Sequence, residues 1–367
     1  MMDDLLLLKD ISLLQFKNYP QQKFNFSERI VGICGRNGLG KTNLLDAIHY
    51  LCFTKSYFGK TDAAHVLNGA QGFRISGNFQ VPEQSQFQEA ICILRETGKK
   101  EFLLGGTLYD KFSLHIGKFP CVFIAPDDIR IITGTSDERR HFLDTLICQI
   151  NPVYLRQLVG YNKVLQQRNS YLKSLSDPGT PDKNLLDVYN RQLEELGNYI
   201  FEQRKLLLQI MLPSVQLFYQ QIAGLPENID IVYESALLHK SYLTLFNESL
   251  PKDLVLQRTT QGIHRDEIEI RLNGQSFKAI ASQGQRKSLL FALKLAEFSI
   301  LKDSKGFPPL ILLDDVFEKL DEQRMQNLMD WVCIQNKGQV FITDTHKDRL
   351  QRALQELKQD FQLIELK

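Results

Sequence analysis

The 367 residues contain no C-x-x-C pair, although six cysteines are scattered at positions 34, 52, 92, 121, 148 and 333. That excludes the usual zinc and redox motifs, and it favours reduced, buried thiols over disulfides. The seven histidines offer no H-E-x-x-H or comparable ligand spacing. No apolar run approaches the roughly 18 residues that a membrane span needs. The opening "MMDDLLLL" places acids, not bases, before four leucines, so no signal peptide is expected there. Neither sign of charge dominates: 44 basic side chains face 43 acidic ones, a net of +1. A dedicated DNA binder is usually more basic, so any nucleic-acid role requires charge segregated into a patch or tight binding in one conformational state. A hydrophobic fraction of 43% and a charged fraction of 24% are ordinary for a soluble globular chain of one large domain or two intertwined ones. A cytoplasmic protein without a membrane partner is expected.

What the chain does have is "GICGRNGLGKTNLLDAIHYL", residues 32–51. It holds the pattern G-x-x-x-x-G-K-T in Gly35, Gly40, Lys41 and Thr42. The apolar run 30–34 before it reads as a buried strand. Leu44, Leu45, Ile48 and Leu51 after it fall on one helical face. Strand, glycine loop and helix in that order are the context a phosphate loop requires. The loop amides of Gly35, Arg36, Asn37, Gly38, Leu39 and Gly40 are expected to wrap phosphate at the helix start. Lys41 supplies a positive charge for the β and γ phosphates, and the Thr42 hydroxyl is placed for Mg²⁺. ATP and Mg²⁺ are thus the expected ligands.

About 270 residues later comes "PLILLDDVFEKLDEQR", residues 309–324. Leu310–Leu313 read as a second buried strand, ending in two carboxylates. Asp314 is expected to hold the metal. Asp315 either orients the attacking water or caps a turn. So long a gap between lysine and aspartate implies a large insertion inside one ATPase core. Ahead of it, "ASQGQRKSLLFALKLAEFSIL" (281–301) reads as an amphipathic helix through Leu289, Leu290, Leu293 and Phe298. Ser282 and Gly284 at its start make either a second anion site or an ordinary serine cap.

Together these motifs resemble the ABC-type ATPase heads. "SQGQ" stands at the signature position, and "EKLD" (318–321) is similar to the D-loop. Within that class the chain resembles the RecF family of bacterial DNA repair proteins, along most of its length. The segments that carry the resemblance are "LQFKNY" (14–19), the phosphate loop and helix, "FIAPDDIRIITGTSDERRHFLD" (123–144), "GIHRDEIEI" (262–270), "LLDDVFEKLD" (312–321) and "QVFITDTH" (339–346). The chain departs from the family pattern in four places. Ile263 replaces a proline, Arg36 stands where an acid is frequent, and "SYFGK" (56–60) lacks an arginine. Asp344 occupies the position of a switch histidine, which leaves Asp344 and His346 as alternatives for sensing the γ-phosphate.

The resemblance implies an α/β fold: an ABC-type P-loop head with an inserted short antiparallel helical arm. It also implies an ATP-dependent homodimer on double-stranded DNA and gapped or single-stranded junctions. Its partners would be RecO- and RecR-like proteins that load a recombinase, in repair, replication restart and the SOS response. The alternative is an ABC-type motor serving another protein or a membrane partner. In either case the activity is that of an ATPase, slow and DNA-stimulated on the first reading. The expected organisation is 1–150 for the N-terminal head, 151–254 for the arm and 255–367 for the C-terminal head. The arm reads as two helices within 151–215. One is marked by Tyr154, Leu158, Tyr161, Leu165, Leu172 and Leu175, with Arg168 in the seam. The other is marked by Leu186, Tyr189, Leu193, Leu196, Ile200, Leu207 and Ile210, with Gln203 interrupting. Each would be about 35 Å long at about 1.5 Å per residue. Candidate DNA contacts are Lys55, Lys60, Arg130, Arg139, Arg140 and Lys163.

Overall fold

A strand of five apolar residues in succession can be satisfied only if both of its faces are covered. The computed structural model, which describes residues 5–59, 61–84, 86–175, 182–224, 227–316 and 322–367, covers Ile30–Cys34 in that way. All five residues are buried. The chain first makes β1 (Leu7–Phe16) and β2 (Tyr19–Asn25), then this strand, β3, and the helix α1 (Lys41–Phe53). Four antiparallel strands follow, β4 (Phe73–Gln80), β5 (Gln88–Leu94), β6 (Lys100–Leu104) and β7 (Thr107–Leu108), and then β8 (Cys121–Ile124).

Beyond Ile129 the chain enters a second compact unit, Arg130–Gln216 with Glu227–Ala281. Its elements are α2 (Arg130–Thr133), α3 (Ser136–Ile150), α4 (Pro152–Ser174), most of α5 (Lys183–Ala223), β9 (Ile229–Glu234), α6 (Tyr242–Leu256), β10 (Glu267–Leu272), β11 (Gln275–Ser276) and α7 (Phe277–Ile280). The chain then returns to the first unit with α8 (Gln283–Lys305), β12 (Leu310–Leu313), α9 (Glu322–Asp330), β13 (Val340–Asp344), α10 (Lys347–Glu356) and β14 (Phe361–Glu365).

The first unit holds two sheets. The antiparallel one runs β2-β1-β4-β5-β6-β7, and the parallel one runs β14-β3-β13-β12-β8. Register pairs Leu313 with Ile342, Ile342 with Gly32, and Asp344 with Cys34. The carboxyl ends of β12, β13 and β3 therefore lie side by side, and ligands of open α/β sheets bind beyond such ends. One core cluster includes Leu8 and Phe79 from the antiparallel sheet, Leu44 and Ile48 from α1, and Val31 and Leu312 from the parallel sheet. All six cysteines are buried and unbridged. Among the described residues no helix is long and apolar enough to cross a membrane.

In the second unit α4 and α5 pack antiparallel. Asn151 Nδ2 donates to Tyr199 Oη (2.9 Å) and Arg168 Nε to Asn190 Oδ1 (3.0 Å). The first helix matches its expected length at 23 residues, but the second runs for 41, about 60 Å at about 1.5 Å per residue. It continues through Pro213, because the buried positions Met211, Val215, Phe218 and Ile222 keep helical spacing past the proline. Ile210, placed in the seam by its spacing, is exposed, and Arg204 rather than Gln203 occupies the buried position.

The expected boundaries at 151 and 254 both fall inside this unit. Residues on either side of them are joined by arginine side chains. Arg204 reaches Asp144 (2.8 Å) and the Ile263 carbonyl (2.8 Å), and Arg139 reaches Glu267 (2.8 Å). Helix α8 also departs from its amphipathic reading. It is buried all round between Ser288 and Phe298, including Lys294 and Glu297.

Candidate nucleotide site

The phosphate loop spans the gap between β3 and α1. Gly40 caps the helix with φ 104°, a conformation that side chains rarely adopt. A Cβ there would come within 2.6 Å of Asn18 Nδ2 and 2.8 Å of Tyr19 Oη, so only glycine fits. Those neighbours grip the loop: Tyr19 Oη donates to the Gly40 carbonyl (3.0 Å) and Asn18 Nδ2 to that of Leu39 (3.1 Å). Arg36, Asn37 and Gly38 are exposed at the tip. Lys41 is buried, and its ammonium donates to the carbonyls of Gly35 (2.8 Å) and Arg36 (3.3 Å).

Asp314 immediately follows β12 and is buried. Thr42 Oγ1 lies 3.0 and 2.9 Å from its two oxygens, so one proton is shared between them. Thr343, at the end of β13, donates to Asp314 Oδ1 (2.8 Å) and accepts from the Asp315 amide (2.9 Å). Burial pushes the Asp314 carboxyl up to about 6, against the opposing pull of the Thr343 and Thr42 hydroxyls. A hydroxyl and a carboxylate are hard oxygen donors of the kind Mg²⁺ takes. Among the described residues no cluster of three or more His, Cys, Asp or Glu side chains stands ready as a metal cage. A cation here would complete its shell with phosphate and water, the usual arrangement for Mg²⁺. The residues present therefore fit Mg²⁺ and a triphosphate. Asp315 adopts φ 44°, and its amide is held by Thr343.

The remaining expectations divide. Ser282 is a helix cap: its Oγ accepts from the Gln285 amide (3.2 Å), and Gln285 Oε1 accepts from the Ser282 amide (2.8 Å). At Gly284 a Cβ would lie 2.3 Å from Arg324 Nη1, so the glycine lets that arginine cross the helix start. Asp344 is buried and held by Arg349 Nε (2.8 Å) and the His346 amide (3.1 Å), while the His346 side chain is exposed. Residues 317–321, with the "EKLD" segment, and Lys60 lie outside the described residues.

Arg139 and Arg140 are not free for phosphate. Arg139 pairs with Glu267, and the buried Arg140 bonds Asp137 and the Asp266 carbonyl. Lys55, Arg130 and Lys163 are exposed. Thr343, Tyr19 and Asn18 escaped the sequence reading. Their one signal was position: a threonine within a buried strand end, and an asparagine and a tyrosine at the turn between β1 and β2.

Comparison with known proteins agrees with this geometry. A family model described as RecF/RecN/SMC N terminal domain matches residues 7–362. The "DNA replication and repair protein RecF" of Flavobacterium johnsoniae is 39% identical, over 98% of this chain and 99% of its own length. That of Cytophaga hutchinsonii is 38% identical, over 97% and 94%. A solved structure described as the recombination mediator protein RecF-ATP in the RecFOR pathway superposes with a TM-score of 0.87 at 30% identity, covering 94% of this chain and 93% of its own.

Proposed function

We propose a function from one premise: the chain belongs to the RecF family of DNA replication and repair proteins, P-loop ATPases built on the ABC-type head. Within that family we infer an ATP switch that closes as a homodimer on gapped or junction DNA. It would act in the cytoplasm, in repair, replication restart and the SOS response, and help RecO- and RecR-like partners load a recombinase on single-stranded DNA.

The observation that carries this reading is the convergence of Thr42, in the first turn of α1, on Asp314 and Thr343 at the carboxyl ends of the neighbouring strands β12 and β13. Lys41 and the amides of residues 35–42 would hold the triphosphate, and Thr42 and Asp314 would hold Mg²⁺. The bound metal ion would neutralise charge on the phosphates. Asp315 would orient the water that attacks. Its carboxylate is one methylene shorter than a glutamate, which suits slow, DNA-stimulated turnover and a switch rather than a pump. Ser282 and Gly284, at the start of α8, would meet the nucleotide of a second copy, where the exposed Ser282 hydroxyl can still donate while it caps.

The test is binding to a fluorescent gapped duplex, with and without ATP, by wild type and Lys41→Arg. The reading expects ATP to tighten binding in the wild type alone, by about tenfold or more. Absence of DNA binding at low salt with ATP present would leave an ATPase head serving a different partner.

A further inference from the structure

Two stretches have no part in the site above: residues 56–58 after α1, where the chain departs from the family pattern, and 125–128 after β8, within a segment that carries the resemblance. A third oddity is α8, where Lys294 and Glu297 are buried within an otherwise apolar stretch. Burying charge is costly unless each group finds a partner, and leucine would fill either position more cheaply. The partners explain the cost. Lys294 Nζ lies 3.4 Å from Glu297 Oε2, 3.7 Å from Asp128 Oδ2 and 3.5 Å from Tyr57 Oη. The Tyr57 hydroxyl donates to Asp128 Oδ1, leaving its oxygen to accept from Lys294. Asp128 Oδ2 also accepts from the Ala125 amide at the end of β8 (2.9 Å). Burial pushes the Lys294 ammonium down, but Asp128 and Glu297 more than offset it and hold it charged.

The other end of Tyr57 is tied to α1. Its amide donates to Asp46 Oδ1 (2.7 Å), and Asp46 Oδ2 takes the Ser56 hydroxyl (2.8 Å) and the Lys17 ammonium (2.6 Å). Asp46 stands one helical turn beyond Thr42. The Tyr57 ring stacks on Phe123 of β8, with centroids 4.2 Å apart and planes 10° apart. Charge-assisted contacts in a poorly solvated interior reinforce one another; those at Asp46 and from the Ala125 amide to Asp128 are full hydrogen bonds, and Lys294 joins them through longer ionic contacts of 3.4–3.7 Å. They run from the turn that bears Thr42 to Lys294, twelve residues along α8 from Ser282, a rigid arm of about 18 Å.

We propose that Tyr57 is a positioning residue that couples the nucleotide-holding helix α1 to the signature helix α8, through Asp46 on one side and Asp128 with Lys294 on the other. The state of the phosphate site then sets where Ser282 is presented to a second copy. This rests on the reading above, in which Ser282 engages the second copy's nucleotide.

The test is Tyr57→Phe, which keeps the stacked ring and deletes only the hydroxyl. Affinity for a fluorescent ATP analogue should stay within about twofold of wild type, while the protein concentration for half-dimerisation with ATP and Mg²⁺, read by sedimentation, rises about tenfold. In a Ser282→Ala background the same change should add nothing further. That non-additivity separates coupling from plain structural support. Lys294→Met with Asp128→Asn should reproduce the pattern from the far end, should the first variant prove unstable. Normal dimerisation of Tyr57→Phe overturns the proposal, as does equal loss of ATP affinity, or effects of Tyr57→Phe and Ser282→Ala that multiply. Wild type that binds ATP and stays monomeric removes the underlying dimer reading, and the coupling with it.

Discussion

Asp314 and Asp315 share a side chain and a position at the end of one strand, yet their surroundings differ. Asp314 is buried, bonded to two hydroxyls, and raised to about 6. Asp315 is less buried and turned into the left-handed region, which costs a non-glycine residue about 1 kcal/mol or more. Local strain of this kind is concentrated at functional sites. Asparagine tolerates the left-handed region, so Asp315→Asn should keep the fold and ATP-dependent dimerisation. It should lose about a hundredfold in turnover, the scale of a general base. An unchanged rate would make Asp315 a bystander in an ATP-gated scaffold.

A second prediction at this scale concerns pH. His49 is stacked on Phe53 at 4.4 Å, and its Nδ1 donates to the Lys55 carbonyl (3.1 Å). Burial, outweighing nearby Asp46, lowers it to about 4. The unfolded chain therefore binds the proton first as pH falls. Its contribution to stability is complete above about 6.5 and is lost toward 4, by about 1.4 kcal/mol per pH unit. His49→Gln should flatten the dependence of unfolding free energy on pH between 5 and 6 by one proton; equal slopes would refute the assignment.

Among the elements, α1, β3 and β12 were legible from the sequence alone, because apolar runs and helical spacing are local signals. The arm was half legible. Spacing located its seam but could not name partners 22 to 91 residues away. Arg168 shows the difference. It is fully buried, bonded to Asn190 (3.0 Å), Thr259 (2.7 Å) and Asp253 of α6 (2.8 Å), with Phe246 beneath its guanidinium. Removing one partner of such a pair strands the other charge. Arg168→Met should therefore cost about 3–5 kcal/mol of unfolding free energy, and Arg168→Met with Asp253→Leu should recover most of it. A double variant as unstable as the single would mean that the hydrogen bonds, not the stranded charge, carry the stability.

For the whole molecule, near-neutral charge remains the constraint on DNA binding. Arg139 and Arg140 are committed to Glu267, Asp137 and Asp266, which leaves Lys55, Arg130 and Lys163 as exposed candidates. With three such candidates per chain, a second copy would double the phosphate contacts they can make. Each phosphate neutralised adds about 0.9 to the slope of log affinity on log salt. That slope should roughly double when ATP is added, and an identical slope with and without ATP would count against closure on DNA.

The sequence by itself determined the phosphate loop, the helix behind it and the strand carrying Asp314, since each is encoded within some twenty consecutive residues. Only the tertiary structure decided what meets them. Parallel pairing of β12, β13 and β3 sets Thr343 between Asp314 and Asp315. The β1–β2 turn sends Tyr19 and Asn18 onto the loop, and Tyr57 joins α1 to α8. Such contacts depend on sheet register and on which distant donor reaches a buried acceptor first, and no local periodicity records either.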